Sequence, residues 1–244
     1  MKNLATLIRN GDARFARVWS VVSASLLLAT AGWSQSLTWL GTLGGSESVA
    51  SGVSADGSVV VGWAANTAGQ YHAFRWQNGV MQDLGTLGGD YSGASGVSAD
   101  GSVVVGWADN AAGLERAFRW QNGVMQDLGT LGGSESAASD VSADGSVVVG
   151  WARNAAGQLL AFRWTPNRGM EDLNRTYAHL LTPGSSLYWA NAISPDGRYI
   201  VGRGYNAATG RDGAFLLDTV PEPASLMALG AGLAGLLGLR RRKQ

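Results

Sequence analysis

One stretch constrains this chain more than any other: Ser-Ala-Asp-Gly-Ser-Val-Val-Val-Gly-Trp-Ala occurs unchanged at 54–64, 98–108 and 142–152. The repeat has a period of 44 residues, legible at Leu40, Leu84 and Leu128 and at Trp63, Trp107 and Trp151. Propeller blades and some helical repeats share that length, so local pattern has to separate them. Within the first unit, Ala50 to Ser54 reads as a short strand, Asp56-Gly57 as a turn and Ser58 to Ala64 as a Val-rich strand. His72 to Gln77 and Val80 to Leu87 then form a hairpin around Asn78-Gly79, the strongest two-residue hairpin signal. In the Val-rich strand, Val59, Val61 and Trp63 face one way and Val60, Gly62 and Ala64 the other. Neither face is polar, so both must be covered. Gly62, Gly106 and Gly150 are expected to let neighbouring sheets approach beside each Trp.

These patterns predict an all-β fold, a small β-propeller of four blades with four antiparallel strands each. The units run over about 46–89, 90–133, 134–174 and 190–218 within a 37–219 domain. The last unit has Ile193-Ser194-Pro195-Asp196-Gly197 as its turn and Arg203 where the others carry Trp, so one seam is packed differently or opens to water. It also stops one strand short. Leu37 to Leu43 (LTWLGTL) resembles the fourth-strand sequence at 81–87 (MQDLGTL) and has no unit before it. It is therefore expected to pair with the last blade and close the ring, with an open stack of sheets as the alternative. An insertion at 176–191 carries Tyr177, His179, Tyr188 and Trp189, candidate ligand-facing residues whose plainer role is to cap the weakened seam.

The two ends differ from the repeats. Lys2, Arg9, Arg14 and Arg17 precede an apolar run from Val18 to Leu28 that reaches Ala29-Thr30-Ala31. This reads as a signal peptide over 1–31, cleaved after the small pair Ala29 and Ala31 and handled by the Sec machinery and signal peptidase. At the other end, 220–244 holds Val220-Pro221-Glu222-Pro223, an apolar run from Ala224 to Leu239, and the basic stop Arg240, Arg241, Arg242 and Lys243. The run reads as a C-terminal transmembrane helix with its charges on the cytoplasmic side.

Charge is segregated accordingly. Between Gly32 and Val220 there are ten Arg, no Lys and 16 Asp and Glu, a net of −6. Such a region offers phosphates no clustered basic face, so nucleic acid is not an expected partner. The chain has no Cys, which excludes disulfides, thiolate zinc sites and cysteine nucleophiles.

The C-terminal order of motif, membrane segment and basic tail resembles the PEP-CTERM sorting signal of Gram-negative bacteria. The resemblance implies an exosortase-type membrane enzyme as partner. It also implies an inner-membrane-anchored intermediate and release to the cell surface or extracellular matrix. The repeats resemble the HAF family of extracellular repeat proteins, on His72-Ala73-Phe74 in the first unit. Later units read Arg116-Ala117-Phe118, Leu160-Ala161-Phe162 and Gly213-Ala214-Phe215, so there is no repeated histidine site.

Other motifs carry little chemistry. The G-x-G-x-x-G pattern at 230–235 follows no strand and sits in the membrane segment. Asp56, Asp100, Asp144 and Asp196 lack the ligand ladder of a calcium loop, and turn chemistry accounts for them. No metal site, cofactor site or catalytic residue is expected. The repeated pairs Phe74/Trp76, Phe118/Trp120 and Phe162/Trp164 fit packing better than sugar stacking. The sequence therefore reads as an exported, non-enzymatic surface or matrix protein. A glycan- or exopolysaccharide-binding propeller is the alternative, with a matrix-acting hydrolase behind it.

Overall fold

The computed structural model describes residues 35–220. Its sheets belong to a unit that begins at Leu40. Three four-stranded antiparallel sheets follow one another, each built as a simple meander. Sheet 1 contains β1 (Gly44–Val53), β2 (Val59–Asn66), β3 (Tyr71–Gln77) and β4 (Val80–Asp83). Sheet 2 contains β5 (Gly88–Val97), β6 (Val103–Asn110), β7 (Glu115–Gln121) and β8 (Val124–Asp127). Sheet 3 contains β9 (Gly132–Val141), β10 (Val148–Asn154), β11 (Leu159–Thr165) and β12 (Gly169–Asp172). A helical turn α1 (Leu173–Thr176) and a 3₁₀ turn at Ala178–Leu180 lead into sheet 4. That sheet has three strands, β13 (Ser186–Ile193), β14 (Tyr199–Asn206) and β15 (Arg211–Asp218).

The repeated turn is made by its own side chains. Asp56 Oδ1 accepts from the Ser54 hydroxyl at 2.7 Å and from the Ser58 N–H at 3.0 Å, while Ser54 Oγ accepts the Val59 N–H at 2.9 Å. Gly57, at φ +74, supplies the left-handed step. Equivalent bonds recur at Asp100, Asp144 and Asp196. In the hairpins, Asn78 and Gly79 both have positive φ, as the Asn-Gly signal requires.

The sheets stack in chain order, and the alternating Val-rich strand explains how. Val59, Val61 and Ala73 of sheet 1 pack on Ala94, Val104, Phe118 and Trp120 of sheet 2. Val103, Val105 and Ala117 of sheet 2 repeat this against Ala138, Val148, Phe162 and Trp164 of sheet 3. Val147, Val149 and Ala161 meet Leu187, Ala190, Ile193, Ile200 and Leu217 of sheet 4. Polar bonds cross the same seams. Ala73 N–H donates to Ser92 Oγ and Ala117 N–H to Ser136 Oγ, at 2.8 and 2.9 Å. A backbone ladder runs from Ala55 to Ala99, Ala143 and Pro195, each N–H donating to the next carbonyl.

Several sequence expectations change. The closing strand is not formed: residues 37–42 carry no strand, and Leu43 makes only an isolated bridge to Asn66, as Leu87 and Leu131 do with their partners. Among the described residues the stack stays open, with Val53 of sheet 1 60% exposed and Leu216 of sheet 4 68% exposed. β1 starts six residues before the expected Ala50, and β4 ends at Asp83 because Leu84 to Leu87 is the link to the next sheet. The 176–191 insertion is shorter than expected, since β13 already begins at Ser186. Gly62 does not admit a neighbouring sheet. A Cβ there would lie 1.9 Å from the Val49 carbonyl oxygen, which the irregularity between Ala50 and Gly52 pushes across the same sheet. Arg203 lies on the outer face of sheet 4, which no described sheet follows, so its effect on a seam does not arise there: it is exposed, paired with Asp212 at 2.8 Å and set over the Trp189 ring at 5.7 Å.

The turn carboxylates give the fold an acid limit. Asp56 falls from 3.8 to about 2, chiefly through the Ser58 N–H, and Asp100 from 3.8 to about 2, chiefly through the Ser98 hydroxyl. Asp144 and Asp196 are lowered by the corresponding serines. A carboxylate whose folded pKa lies below its unfolded one stabilises the fold above the unfolded value, and that contribution disappears as pH falls through the folded value. The urea midpoint is therefore expected to fall between roughly pH 4 and pH 2. A midpoint unchanged across that window would exclude any stabilising role for the turn aspartates.

Candidate ligand-facing rim

The internal copies differ where β3, β7 and β11 begin and β2, β6 and β10 end. Ala65 pairs with Tyr71, Asp109 with Glu115 and Arg153 with Leu159 at one register position of three successive sheets. At the first junction the rim is aromatic. Trp63 and Tyr71 meet edge to face at 4.9 Å, and Tyr71 and Tyr91 lie 6.3 Å apart. The Tyr71 hydroxyl donates to Glu47 Oε1 at 2.9 Å. That hydrogen bond, followed by the Glu47 charge, raises the Tyr71 pKa. Tyr71 and Tyr91 keep 38% and 42% of their surface in solvent, enough to offer ring faces to a ligand.

At the second junction the rim is acidic. Burial pushes the Glu115 carboxyl up, and the charges of Asp109 and Glu135 add to it. Asp109 is raised by burial and then by Asp90. Arg153 Nε donates to Glu135 at 2.7 Å and Gln70 Nε2 to Asp90 at 2.9 Å. Replacing Glu115 with Gln removes a charge that is partly desolvated at neutral pH. The variant is expected to melt higher than the wild type at pH 7, with the gap closing near pH 4, where the carboxyl is protonated. A melting temperature at or below wild type at pH 7 would refute this.

Among the described residues no group of three or more His, Asp or Glu is placed to hold a metal. His72 is bonded to Asp83 at 2.8 Å, a pair the other units lack. Five of the six third-strand aromatics pack in the core: Phe74, Phe118 and Phe162 are fully buried and Trp120 and Trp164 nearly so, while Trp76 is half-buried.

The insertion residues do not form one site. Tyr177 packs on the core between sheets 3 and 4, and His179 is exposed in the 3₁₀ turn. Tyr188 and Trp189 sit in β13, their rings edge to face at 6.2 Å. Tyr177, His179 and Val220 line one groove of about 700 Å³ beside β15. Ala29, Ala31, Pro221, Glu222, Pro223 and Arg240 to Lys243, with the expected transmembrane helix, lie outside the described residues. No helix among those described is long and apolar enough to cross a membrane. Tyr71 and Tyr91 escaped the sequence reading, which weighed the recurring Phe/Trp pairs and the insertion at 176–191. The usable signal was divergence: Tyr91 stands where the neighbouring copies carry Glu47 and Glu135.

Residues 219–243 match the PEP-CTERM protein-sorting motif, which marks the chain for export and membrane-associated sorting toward the cell surface, with processing by exosortase. No curated protein matches the chain. Among solved structures, TolB from Acinetobacter baumannii is 21% identical, covering 69% of this chain and 40% of that one, with a TM-score of 0.49. A TolB candidate from Agrobacterium tumefaciens is 16% identical, covering 68% and 60%, with a TM-score of 0.50. The chain spans about half the length of these two proteins, and the second likeness is one of fold alone.

Proposed function

We propose that the protein is a non-enzymatic component of the cell surface or extracellular matrix, a propeller-type stack of HAF-like repeats delivered by its C-terminal signal. The observation that carries this reading is the sorting motif at 219–243. Proline disfavours helix, so a motif with two of them suits a processing enzyme that needs an unfolded strand. The test is the intact mass of the protein recovered from medium and envelope. Ends near Gly32 and near Pro223 are expected, and copies that all retain Gln244 would oppose the reading.

A second reading, binding of neutral glycans, is favoured by the Trp63, Tyr71 and Tyr91 surface with Glu47 beside it. Aromatic rings can stack on sugar faces and carboxylates can accept hydroxyl protons. The acidic residues of the neighbouring junction disfavour anionic polymers. Titrating the protein with neutral exopolysaccharide should change its Trp fluorescence, and Tyr71→Ala with Tyr91→Ala should abolish the change. An identical response in the double variant would place binding elsewhere.

A further inference from the structure

We infer that the chain assembles head to tail with a second copy of itself. Leu37–Trp39 of one copy supply the fourth strand that sheet 4 of the other lacks, and sheet 1 of the donor covers the exposed face of that sheet.

The vacant strand position has a defined register. In sheet 1 the fourth strand pairs only with the end of the third, Phe74↔Asp83 through Gln77↔Val80, and sheets 2 and 3 do the same. Phe215 faces Gly202 as Phe74 faces Gly62, so the equivalent stretch of β15 is Phe215 to Asp218. No described strand lies beside it. The groove of about 700 Å³ does, walled by Tyr177, Leu180, Leu181, Phe215, Leu217 and Val220. The Arg203–Asp212 pair guards the other end of β15, which no fourth strand covers in any sheet.

The donor fits that slot by sequence. Leu37-Thr38-Trp39 holds the repeat position of Met81-Gln82-Asp83 and is followed by the same Leu-Gly-Thr-Leu link. Leu37 and Trp39 are 81% and 88% exposed. In the internal repeats the link leads straight from a fourth strand into the first strand of the next sheet. Seating 37–39 on β15 therefore brings sheet 1 onto sheet 4.

The two faces thus joined are the two halves of an internal seam. Sheet 4 exposes Tyr199, Val201 and Leu216, whose counterparts Val59, Val61 and Arg75 meet sheet 2. Sheet 1 exposes Val49, Ala50 and Val53, whose counterparts Gly93, Ala94 and Val97 are covered. Ser48 Oγ donates to the Gly41 carbonyl at 2.7 Å, as Ser92 and Ser136 do with Gly85 and Gly129. At the internal seams those hydroxyls also receive an N–H from the preceding sheet. The space around Gly57 is empty within 4 Å, whereas Val59 and Val103 press on the equivalent Gly101 and Gly145. Among the described residues nothing covers these faces. Pro195 has no N–H to extend the backbone ladder, so the joint between copies has one hydrogen bond fewer than an internal seam and is reversible. A contact between two different surfaces closes into a ring or extends into a filament.

The absence of cysteine gives a test without background. Pro195 and Ala55 of two copies would stand as Ala99 and Ala143 do within one chain, where an N–H···O bond of 2.9 Å joins them. Full-length Ala55→Cys and Pro195→Cys chains, co-expressed and oxidised, are expected to give a disulfide-linked dimer at least about tenfold above either variant alone. No excess over the single variants, or only an internal disulfide in the double variant, would overturn the proposal. Light scattering on the exported protein gives a second readout. It should report two or more chains, with association about tenfold weaker in Leu216→Asp. A single-chain mass at every concentration, or a mass unaffected by Leu216→Asp, would equally overturn it.

Discussion

Replacing Gly106 with Ala is expected to lower the melting temperature by about 10 °C, from a loss of about 3 kcal/mol or more. The added Cβ would stand 2.0 Å from the Gly93 carbonyl oxygen and 2.9 Å from the Ala94 Cα. Both obstacles are backbone, so no side chain can swing aside. β5 cannot retreat either, because Ala94 packs in the seam with sheet 1 while β5 is hydrogen-bonded across sheet 2. Gly213→Ala is the control. Nothing lies within 4 Å of a Cβ at that position, and the change should stay within about 0.5 kcal/mol. Thermal melts followed by circular dichroism decide between them. If Gly106→Ala melts within about 2 °C of the wild type, β5 yields and the contact is not structural.

That glycine also shows what the sequence could and could not reveal. The 44-residue period, the Asp-Gly turns and the Asn-Gly hairpins announce themselves through residue types whose backbone preferences are local. Four-strand units were therefore legible in the first three copies. The reason for Gly62, Gly106 and Gly150 was not, because it depends on a register shift in the partner strand that no local preference encodes. The early part of β1, Gly-Gly-Ser-Glu-Ser-Val, lacks apolar alternation and reads as loop, yet pairing with β2 holds it extended. β13 hid inside an apparent insertion since Ser186 to Ile193 shares almost nothing with Gly44–Val53 beyond its place in the sheet. Closure of the ring failed for a similar reason. Leu37 to Leu43 has the sequence of a fourth strand, but a strand's partner is set by where the stack's two ends lie.

The candidate site was less legible than the fold. Reading for recurrence picks out Phe74, Phe118 and Phe162, and these turn out to be the largest of the fully buried side chains among the described residues. Duplication preserves what packing needs, so positions free to acquire a ligand are those where copies have drifted apart. Tyr71 against Glu115 and Leu159 is such a position, and so is Arg203 against three Trp. Both lie at strand ends or outer faces, where a substitution costs little burial. The aromatic cluster further requires Tyr71 and Tyr91 to meet across two sheets, a proximity that 20 residues of separation do not announce.

Replacing Arg240, Arg241, Arg242 and Lys243 together with Gln is expected to convert a membrane-retained intermediate into a chain that passes across the bilayer with its tail intact. The apolar run from Ala224 to Leu239 is 16 residues, about 24 Å as a helix, which is short of the roughly 30 Å hydrocarbon core. Such a segment holds weakly by hydrophobicity alone, and Gly230, Gly232, Gly235 and Gly238 weaken it further. The four charges supply the stop. Each costs about 3 kcal/mol to bring to the centre of a bilayer, so together they are expected to oppose translocation by about 12 kcal/mol. Without them the expected pause of the apolar run is lost, and with it the processing enzyme's time at Pro221-Glu222-Pro223. Mass spectrometry of the medium should then find chains that continue to Gln244, in place of chains ending near Pro223. Continued cleavage near Pro223 in the Gln variant would show that the apolar run anchors the tail unaided.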